Sequence, residues 1–399
     1  MKIAFFAYNF VPNVGGAQVF MFNMMRHLAA RGHKVVLYLP RYLWRPYQDL
    51  ELKMDFEVRP LGRGEKYLAK FLPGIVSRML LREQELHKYD LWQIIGAYPC
   101  AYVARKLSSL VPTVLRSHGD DIQKDATLGY GDRLNPRLEE KIKKGVLGMT
   151  RLVALTESVQ DCYMELGADS AKITVIPNGI ELSRFKEPFD RTAFRQKLGV
   201  NGEDILILTT SRNHPKKGLE YLPEAAKHLL EHGYKFKWLL LGDGVGRLAE
   251  KFSEEGLADV FILKDEIKMK FEVDASGVPQ VPAEQYIHMY RAADYFAMPS
   301  LLETFGMVLI EALAAGLPVV TTNAPGCRDV IRDGVNGLQA PCRDGRGMGK
   351  CLERLITDSA LRGKLAENAL QDINRYDWAN VAVCYEELYQ RLTKENTCK

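Results

Sequence analysis

Two glutamates placed eight residues apart could do chemistry near the start of a predicted helix. Glu303 follows an apolar strand, and the pattern predicts that a helix begins near Thr304 or Phe305. Glu311 lies about two helical turns further on, inside the apolar run 308–315. The backbone N–H groups of residues 305–307 lie between them, at the positive end of the helix dipole, where a phosphate binds favourably. The structural alternative is that Glu303 favours the helix dipole and Glu311 makes a buried salt bridge. We favour two carboxylates that line one cleft around a phosphate.

A second candidate group is cationic. Arg212 and Lys217 lie in the segment 211–218, between the strand 205–210 and the next helix. These two cations could converge on a diphosphate and stabilise a departing nucleoside diphosphate when no metal is present. A solvated loop is the alternative. The chain contains no Asp-x-Asp pair, which would hold a metal-bound diphosphate, and we predict no metal site.

Glycine and histidine positions complete the candidate site. Gly15 and Gly16 lie between the first strand and its helix, where the lack of a Cβ permits close approach of a ligand or simply a tight turn. The run 242–246 contains three glycines but lacks the G-x-G-x-x-G spacing of a dinucleotide site. His118 follows another strand and either meets the reacting groups or serves as a hydrogen-bonded structural residue.

Alternating strands and helices must position these residues. Apolar runs at 3–7, 34–39, 91–95, 112–116 and 152–155 form a first series, and a second series begins at 205. Such alternation predicts an α/β protein with two Rossmann-like, doubly wound parallel-sheet domains facing a central cleft. Turn residues at 176–179 mark the boundary, so we assign residues 1–182 to the first domain and 183–376 to the second. Residues 264–282 interrupt the second series as an inserted hairpin or long loop.

Composition excludes several classes of protein. The 399 residues are 47% hydrophobic and 26% charged, as in a globular protein, and no stretch is apolar enough to span a membrane. The 54 Lys+Arg against 50 Asp+Glu give a net charge of +4, too mild to indicate nucleic-acid binding. Seven cysteines without a C-x-x-C pair indicate a reducing compartment.

Together these residues resemble a known family, the GT-B retaining glycosyltransferases of family 4, also called glycosyl transferases group 1. The matching motifs occur in order: Gly15-Gly16-Ala17, His118-Gly119-Asp120-Asp121, Val175 to Ile180, Arg212 with Lys217-Gly218, Leu241 to Gly244, Ala293-Asp294 with Pro299-Ser300, and Glu303 to Glu311 followed by Ala312 to Val320. Each motif is weak alone, but their order and spacing are specific.

The resemblance implies a UDP- or GDP-sugar donor bound by the second domain and an acceptor bound by the first, with no other cofactor. By position, it implies that Arg212 and Lys217 bind the diphosphate, Glu303 the donor sugar and Glu311 the ribose. His118 would lie near the anomeric carbon. The resemblance also implies that the distal phosphate binds the amides of Phe305, Gly306, Met307 and Val308, and that Gly16 and Gly242 make further donor contacts. It also implies that the last helix, within 377–399, joins the first domain.

The implied activity is transfer of a hexosyl-type group, with retention, to a glycan, lipid-linked or small-molecule acceptor, in cell-surface polysaccharide or glycolipid synthesis. A nucleotide-sugar epimerase and a non-catalytic sugar-nucleotide-binding protein are the alternatives. We expect a cytoplasmic protein. Residues 59–82 combine basic and apolar side chains, which predicts either contact with an anionic membrane surface, on the inner face of the cell membrane, or an ordinary core helix with solvated charges.

Overall fold

The computed structural model describes residues 1–10, 15–48, 52–62, 72–200, 202, 204–265, 272–273, 279–280 and 282–397. The chain divides into two compact units. The first comprises Met1–Gly179, Val273–Pro279 and Trp378–Lys399, and the second comprises Ile180–Glu272 and Gln280–Asp377. The sequence predicts the two main breaks after residues 182 and 376.

The first unit is built on a seven-stranded sheet in which all pairs are parallel. Its strands are β1 (Lys2–Phe6), β2 (Lys34–Pro40), β3 (Glu57–Leu61), β4 (Leu91–Ile95), β5 (Thr113–Arg116), β6 (Arg151–Ala154) and β7 (Ile173–Val175), in the order β3-β2-β1-β4-β5-β6-β7. Its helices are α1 (Gly16–Ala30), α2 (Arg41–Gln48), α3 (Pro73–His87), the single turn α4 (Tyr102–Ala104), α5 (Pro136–Leu147) and α6 (Glu157–Glu165). Inner strands such as β1 and β2 contain continuous apolar runs because both of their faces are buried.

The second unit repeats this plan with six parallel strands. They are β8 (Ile205–Thr210), β9 (Phe236–Leu241), β10 (Phe261–Lys264), β13 (Tyr295–Met298), β14 (Val319–Thr322) and β15 (Leu338–Ala340), in the order β10-β9-β8-β13-β14-β15; β11 (Glu272–Val273) and β12 (Pro279–Gln280) form a separate two-stranded sheet. The helices are α7 (Arg191–Lys197), α8 (Leu222–Glu231), α9 (Ala249–Glu254), α10 (Glu284–Ala292), α11 (Met307–Ala314), α12 (Cys327–Val330), α13 (Gly345–Thr357) and α14 (Ser359–Ile373).

These two sheets confirm the predicted fold class of two doubly wound parallel α/β units. In each sheet the strand order reverses once, between β1 and β4 in the first and between β8 and β13 in the second. Loops that leave the carboxyl ends of two such strands diverge and leave a crevice, where α/β proteins bind ligands. The loops after β8 and β13 therefore form the expected ligand crevice of the second unit.

The last helix, α15 (Trp378–Thr397), packs in the first unit. Tyr385 and Tyr389 are fully buried, and the Tyr389 hydroxyl donates to Gln93 of β4 at 2.7 Å. Glu386 accepts from Arg31 at 2.7 Å and lies 2.8 Å from His33 Nε2, so both its carboxylate oxygens bind the end of α1. These contacts fix the last 20-residue helix to the sheet that begins the chain.

Two predicted features lie partly outside the described residues. Of the basic segment 59–82, residues 63–71 are outside, so the structure places Arg59, Arg78 and Arg82 but not Arg63, Lys66 or Lys70. Of the insertion 264–282, the described part includes β11 and β12, which agrees with an inserted hairpin. Among the described helices, none is both long enough and apolar enough to cross a membrane.

Candidate functional site

An ion pair at the switch point of the second sheet is the centre of the candidate site. Lys217, at the end of the loop after β8, donates from Nζ to Glu303 Oε1 in the loop after β13. Ser300 Oγ donates to the same oxygen at 2.9 Å. Glu303 is only 6% exposed. The structure thus joins two residues that are 86 positions apart in the sequence, because their strands are neighbours in the sheet.

The electrostatics of this pair favour an ionised carboxylate. Burial alone would raise the pKa of Glu303, but Lys217 and Lys216 attract the charged form, and the hydrogen bonds from Lys217 and Ser300 bind it. The net result is that the pKa of Glu303 lies below its usual value. Glu303 is therefore suited to accept hydrogen bonds from hydroxyl groups, and Lys217 to attract an anion.

The loop after β8 concentrates positive charge. The pKa of His214 in this loop is lowered, first by burial and then by the cations Arg212, Lys216 and Lys217. Arg212 is exposed, whereas Lys216 is buried and its carbonyl accepts from Leu301 N–H at 2.7 Å. Arg212 and Lys217 thus lie in one loop, where both lower the pKa of His214. Of these two cations, Lys217 is the one for which the described contacts include an ion pair with Glu303.

Close backbone contacts hold the neighbouring loops together. Gly218 has a φ of 62°, and a Cβ there would clash with the carbonyl oxygen of Pro299. A Cβ on Gly242, at the end of β9, would likewise clash with the carbonyl oxygen of Ser211. Asn213 N–H donates to the carbonyl of Asp243 at 2.7 Å. Gly242 therefore supports the backbone next to Arg212, which gives this glycine a packing role beside its predicted role in donor binding.

The helix that follows Glu303 starts later than predicted. We expected its first residue near Thr304 or Phe305, but α11 begins at Met307, because Gly306 adopts a left-handed φ of 80°. Phe305 and Gly306 precede the helix, and the Phe305 ring packs edge-on against Tyr376 at 5.8 Å. The N–H groups of Met307 and Val308 in the first turn have no partner within the helix. Both residues are half-buried, so this helix start can bind an anion.

Glu311, one turn along α11, belongs to a buried hydroxyl network. Tyr290 and Tyr286 of α10 donate to its Oε2 at 2.6 Å and 3.0 Å. The Tyr290 hydroxyl also lies 2.6 Å from Thr210 Oγ1 at the end of β8. Burial raises the pKa of Glu311 to about 7, although both tyrosine hydrogen bonds oppose this shift. The salt bridge considered as its structural alternative does not occur among the described contacts of Glu311.

His118 lies in the loop after β5 of the first unit. Its ring centroid lies 5.6 Å from that of Phe20 in α1, the helix that Gly16 begins. Its backbone N–H donates at 3.0 Å to Asp121 Oδ1, which also accepts from Gly119. Burial lowers the pKa of His118 well below its usual value, and the neighbouring Arg116 cation lowers it further. The imidazole is therefore neutral at pH 7.

Arg116 itself is a fully buried cation. It donates to the Tyr385 hydroxyl at 2.5 Å and to Asn178 Oδ1, and its guanidinium carbon lies 3.6 Å from the centroid of the Phe20 ring. Uncharged groups thus stabilise its charge. Arg116 consequently ties β5 to α15 and keeps a positive charge next to His118.

Two family models match successive parts of this chain. The model described as Glycosyltransferase Family 4 matches residues 14–184, and the model described as Glycosyl transferases group 1 matches residues 190–372. The chain belongs to this glycosyltransferase family. Its two matched segments contain all the candidate residues described above.

Several curated relatives are similar to this glycosyltransferase over nearly its whole length. The D-inositol 3-phosphate glycosyltransferase of Xylanimonas cellulosilytica is 29% identical over 406 aligned residues, which cover 97% of this chain and 94% of the relative. The enzyme of the same name from Geodermatophilus obscurus is 29% identical, over 92% of this chain and 82% of its own length.

Solved structures share the fold of this glycosyltransferase. HepE of Anabaena, crystallised with UDP and glucose, superposes with a TM-score of 0.74 and 21% identity, over 98% of this chain and all of the other. Sucrose-phosphate synthase from Thermosynechococcus elongatus gives a TM-score of 0.76 at 18% identity, over 99% of both chains. At these identities the likeness establishes the GT-B fold and nothing further.

The structure also adds residues to the glycosyltransferase site that the sequence alone does not single out. These are Ser300 and Gly326 around Glu303, and Tyr286 and Tyr290 around Glu311. Ser300 lies in one of the matching motifs, but its sequence context does not indicate a bond to Glu303. The two tyrosines are four residues apart on a predicted helix, so both lie on one face of it, but no local pattern indicates that this face meets Glu311.

Gly326 gives a direct test of how Glu303 is positioned. Its φ is 79°, and a Cβ there would clash with the backbone carbonyl of Glu303. Gly326→Ala should lower the free energy of unfolding by about 1–3 kcal/mol and reduce turnover, because Glu303 must move. Urea denaturation and initial rates measure both effects.

Gly363→Ala is the matched control. Gly363 lies inside helix α14, and a Cβ there would have no heavy atom within 4 Å, so this change should leave turnover unaltered and stabilise the helix by about 0.5–1 kcal/mol. Equal behaviour of the two variants would contradict the positioning role of Gly326.

Proposed function

We propose that this glycosyltransferase transfers a hexosyl-type group from a nucleoside-diphosphate sugar, with retention of the anomeric configuration and without a divalent metal. The observation that carries the proposal is the ion pair between buried Glu303 and half-buried Lys217 of a positively charged loop, beside the start of α11. In glycosyl transfer, negative charge develops on the departing diphosphate. Cations and N–H groups fixed in advance stabilise that charge without the cost of reorganisation.

Each group has a distinct task in this proposal. Lys217 and Arg212 bind the diphosphate, and the N–H groups of Met307 and Val308 bind its distal phosphate. Glu303, held ionised by Lys217, accepts hydrogen bonds from hydroxyls of the donor sugar. Glu311, held by two tyrosines, accepts from the ribose hydroxyls.

Retention follows if the acceptor attacks from the same face as the leaving phosphate, through an oxocarbenium-like state, with a phosphate oxygen taking the acceptor proton. No side chain is then required to form a covalent intermediate. His118, neutral at pH 7, serves as an uncharged hydrogen-bonding group near the reacting carbon in this scheme.

The acceptor proposed for the first trial is D-inositol 3-phosphate, the substrate in the names of the relatives with 29% identity. A glycan or a lipid-linked acceptor, in polysaccharide or glycolipid synthesis, is the competing outcome. UDP- and GDP-sugars should be incubated with each acceptor class, and the products identified by mass spectrometry and the anomeric configuration by NMR. A transferred sugar with the donor's configuration supports the proposal. An epimerised donor, or tight binding without turnover, would replace it with the isomerase or the binding protein.

Metal independence is a separate prediction. Initial transfer rates should change less than about twofold when EDTA is added, because fixed cations and the helix start take the electrostatic role that a metal would have. Initial rates in EDTA, with and without added Mg²⁺ or Mn²⁺, measure this. Loss of activity in EDTA that Mg²⁺ or Mn²⁺ restores would show that the cationic loop is insufficient.

Membrane contact through residues 59–82 stays a prediction. In the described part, α3 buries Val76 and Leu80 beside two polar residues and exposes Arg78 and Arg82, an arrangement that also fits a core helix. If the surface docks, anionic vesicles should sediment the protein at low salt, and charge reversal of both arginines should weaken this binding. Absence of sedimentation would leave only the core helix.

A further inference from the structure

Three potential metal ligands lie together on two helices of the second unit, in a cluster that the proposed transfer reaction does not use. His228 is on α8, His232 immediately follows that helix, and Glu353 is on α13. One ligand atom from each lies within 4.8 Å of the other two. Histidines four residues apart project from the same side of a helix, and this spacing lets two imidazoles reach one ion.

A hydrogen bond orients the His232 imidazole for coordination. His232 Nδ1 lies 2.8 Å from the backbone carbonyl of His228. A carbonyl only accepts, so Nδ1 carries the hydrogen and the lone pair of a neutral His232 is on Nε2. Such a bond from the second ring nitrogen is the usual way in which proteins orient metal-binding histidines. The two ring centroids are 4.3 Å apart.

His228 is unusual because it is buried and only half satisfied. It is 3% exposed, and its Nε2 lies 2.8 Å from Glu353 Oε2. Its Nδ1 is buried without a hydrogen-bond partner among the described residues. No described group therefore fixes Nδ1 as a donor or an acceptor, so the ring can carry its hydrogen there while Nε2, which already faces Glu353, coordinates an ion.

The packing around His228 leaves room for the ring. Gly349 of α13 faces it, and a Cβ on Gly349 would come within 2.9 Å of His228 Cβ and 3.0 Å of its Cδ2. On the outer side, His232 is exposed and Glu353 is half-buried, so water can reach the cluster and complete a coordination shell.

We propose that His228, His232 and Glu353 bind one divalent transition-metal ion of the zinc type, which links α8 to α13. Two imidazole nitrogens and one carboxylate oxygen, with water as a fourth ligand, form a set that zinc accepts, whereas Mg²⁺ and Ca²⁺ prefer oxygen ligands. On binding, the ion takes the place of the hydrogen between His228 Nε2 and Glu353, and the neutral imidazole keeps its single hydrogen on Nδ1, so no net proton is released. The ion is structural and is separate from the donor site.

Zinc alone is the probe for this proposal. The full-length protein, freed of metal and kept reduced, should bind Zn²⁺ and melt at a higher temperature as zinc is added, because the ligand binds the folded state. Isothermal titration calorimetry and thermal unfolding measure both effects. Co²⁺ should give the visible spectrum of a four-coordinate site with nitrogen and oxygen ligands and no thiolate band.

Two variants test the ligand set. His232→Ala changes an exposed residue and Glu353→Gln keeps the side-chain size, so both should fold, and each should weaken zinc binding by about tenfold or more. His288→Ala is the control. His288 pairs with Glu284 at 3.3 Å, and both residues lie on α10, away from the proposed zinc ligands. It should bind zinc like the wild type.

The outcomes separate the proposal from an ordinary histidine–glutamate ion pair. No zinc-dependent rise in melting temperature, or the same zinc affinity in His232→Ala and the wild type, would overturn it. A thiolate band with Co²⁺ would assign the ion to a cysteine instead. None of these measurements uses enzymatic activity, so the proposed transfer reaction can fail without affecting this result.

Discussion

Replacing Lys217 by alanine should lower kcat/KM by about a hundredfold or more and weaken nucleoside-diphosphate binding. The change removes a cation fixed beside the developing charge of the leaving group. It also removes the cation that pairs with Glu303, a carboxylate that is only 6% exposed. Steady-state kinetics with the active donor and titration with the free nucleotide measure the two effects.

The Glu303→Ala and Lys217→Ala variants should differ in nucleotide affinity in these measurements. Glu303→Ala should lose rate and largely keep the affinity for free nucleotide, because the proposed partner of Glu303 is the sugar and not the diphosphate. Lys227→Ala is the matched control. It removes another lysine–glutamate pair of the same unit, between the exposed Lys227 and Glu255 at 2.9 Å, and should leave both quantities unchanged. Full activity of Glu303→Ala with every donor would show that this residue does not bind the sugar.

The pH profile of Lys217→Ala adds a check on the electrostatics. In the wild type the attraction of Lys217 and Lys216 overcomes burial and keeps the pKa of Glu303 low. Without Lys217, burial is less opposed and this pKa rises. The residual activity of the variant should therefore fall as the pH is lowered, over a range where the wild type does not respond to Glu303.

The parts of the fold that sequence predicts well are the buried ones. Strands such as β1, β2, β8 and β13 lie inside a parallel sheet, so most of their residues form short apolar runs. In the two large sheets, the strands that the apolar pattern does not predict are β3, β7 and β15, which lie at edges; the fourth edge strand, β10, is predicted by the apolar run 260–263. An edge strand has one hydrogen-bonded neighbour and is less buried, and its sequence carries less of the apolar pattern.

The candidate site divides in a similar way. Lys217 and Glu303 could be found because each lies in the loop after a recognisable strand, and a parallel sheet gathers such loops at one edge. The start of α11 was predicted too early, since apolar periodicity extends through Phe305 whereas the left-handed Gly306 sets the boundary. The tyrosines around Glu311 come from α10, and only the packing of that helix against α11 brings them to the carboxylate.

Glu311 leads to the second large effect, a dependence of donor binding on pH. Burial raises its pKa to about 7, and only the ionised form accepts hydrogen bonds at all its oxygen positions. Nucleotide affinity of the wild type should therefore decline as the pH falls below about 7, by up to tenfold per pH unit. In Glu311→Gln the affinity should be about tenfold or more weaker at pH 8, because the charge-assisted bonds to the ribose are lost.

Comparing the two proteins at each pH isolates Glu311, since the phosphates of the nucleotide titrate identically in both experiments.

Stability should respond in the opposite sense. The folded pKa of about 7 exceeds the ordinary value of 4.5, so between these values the folded state binds more protons than the unfolded state, and the free energy of unfolding falls as pH rises. Glu311→Gln should remove this decline and be more stable than the wild type at pH 8, as urea denaturation from pH 5 to 8 would measure. Parallel pH profiles of binding and stability in the two proteins would show that Glu311 does not titrate in this range.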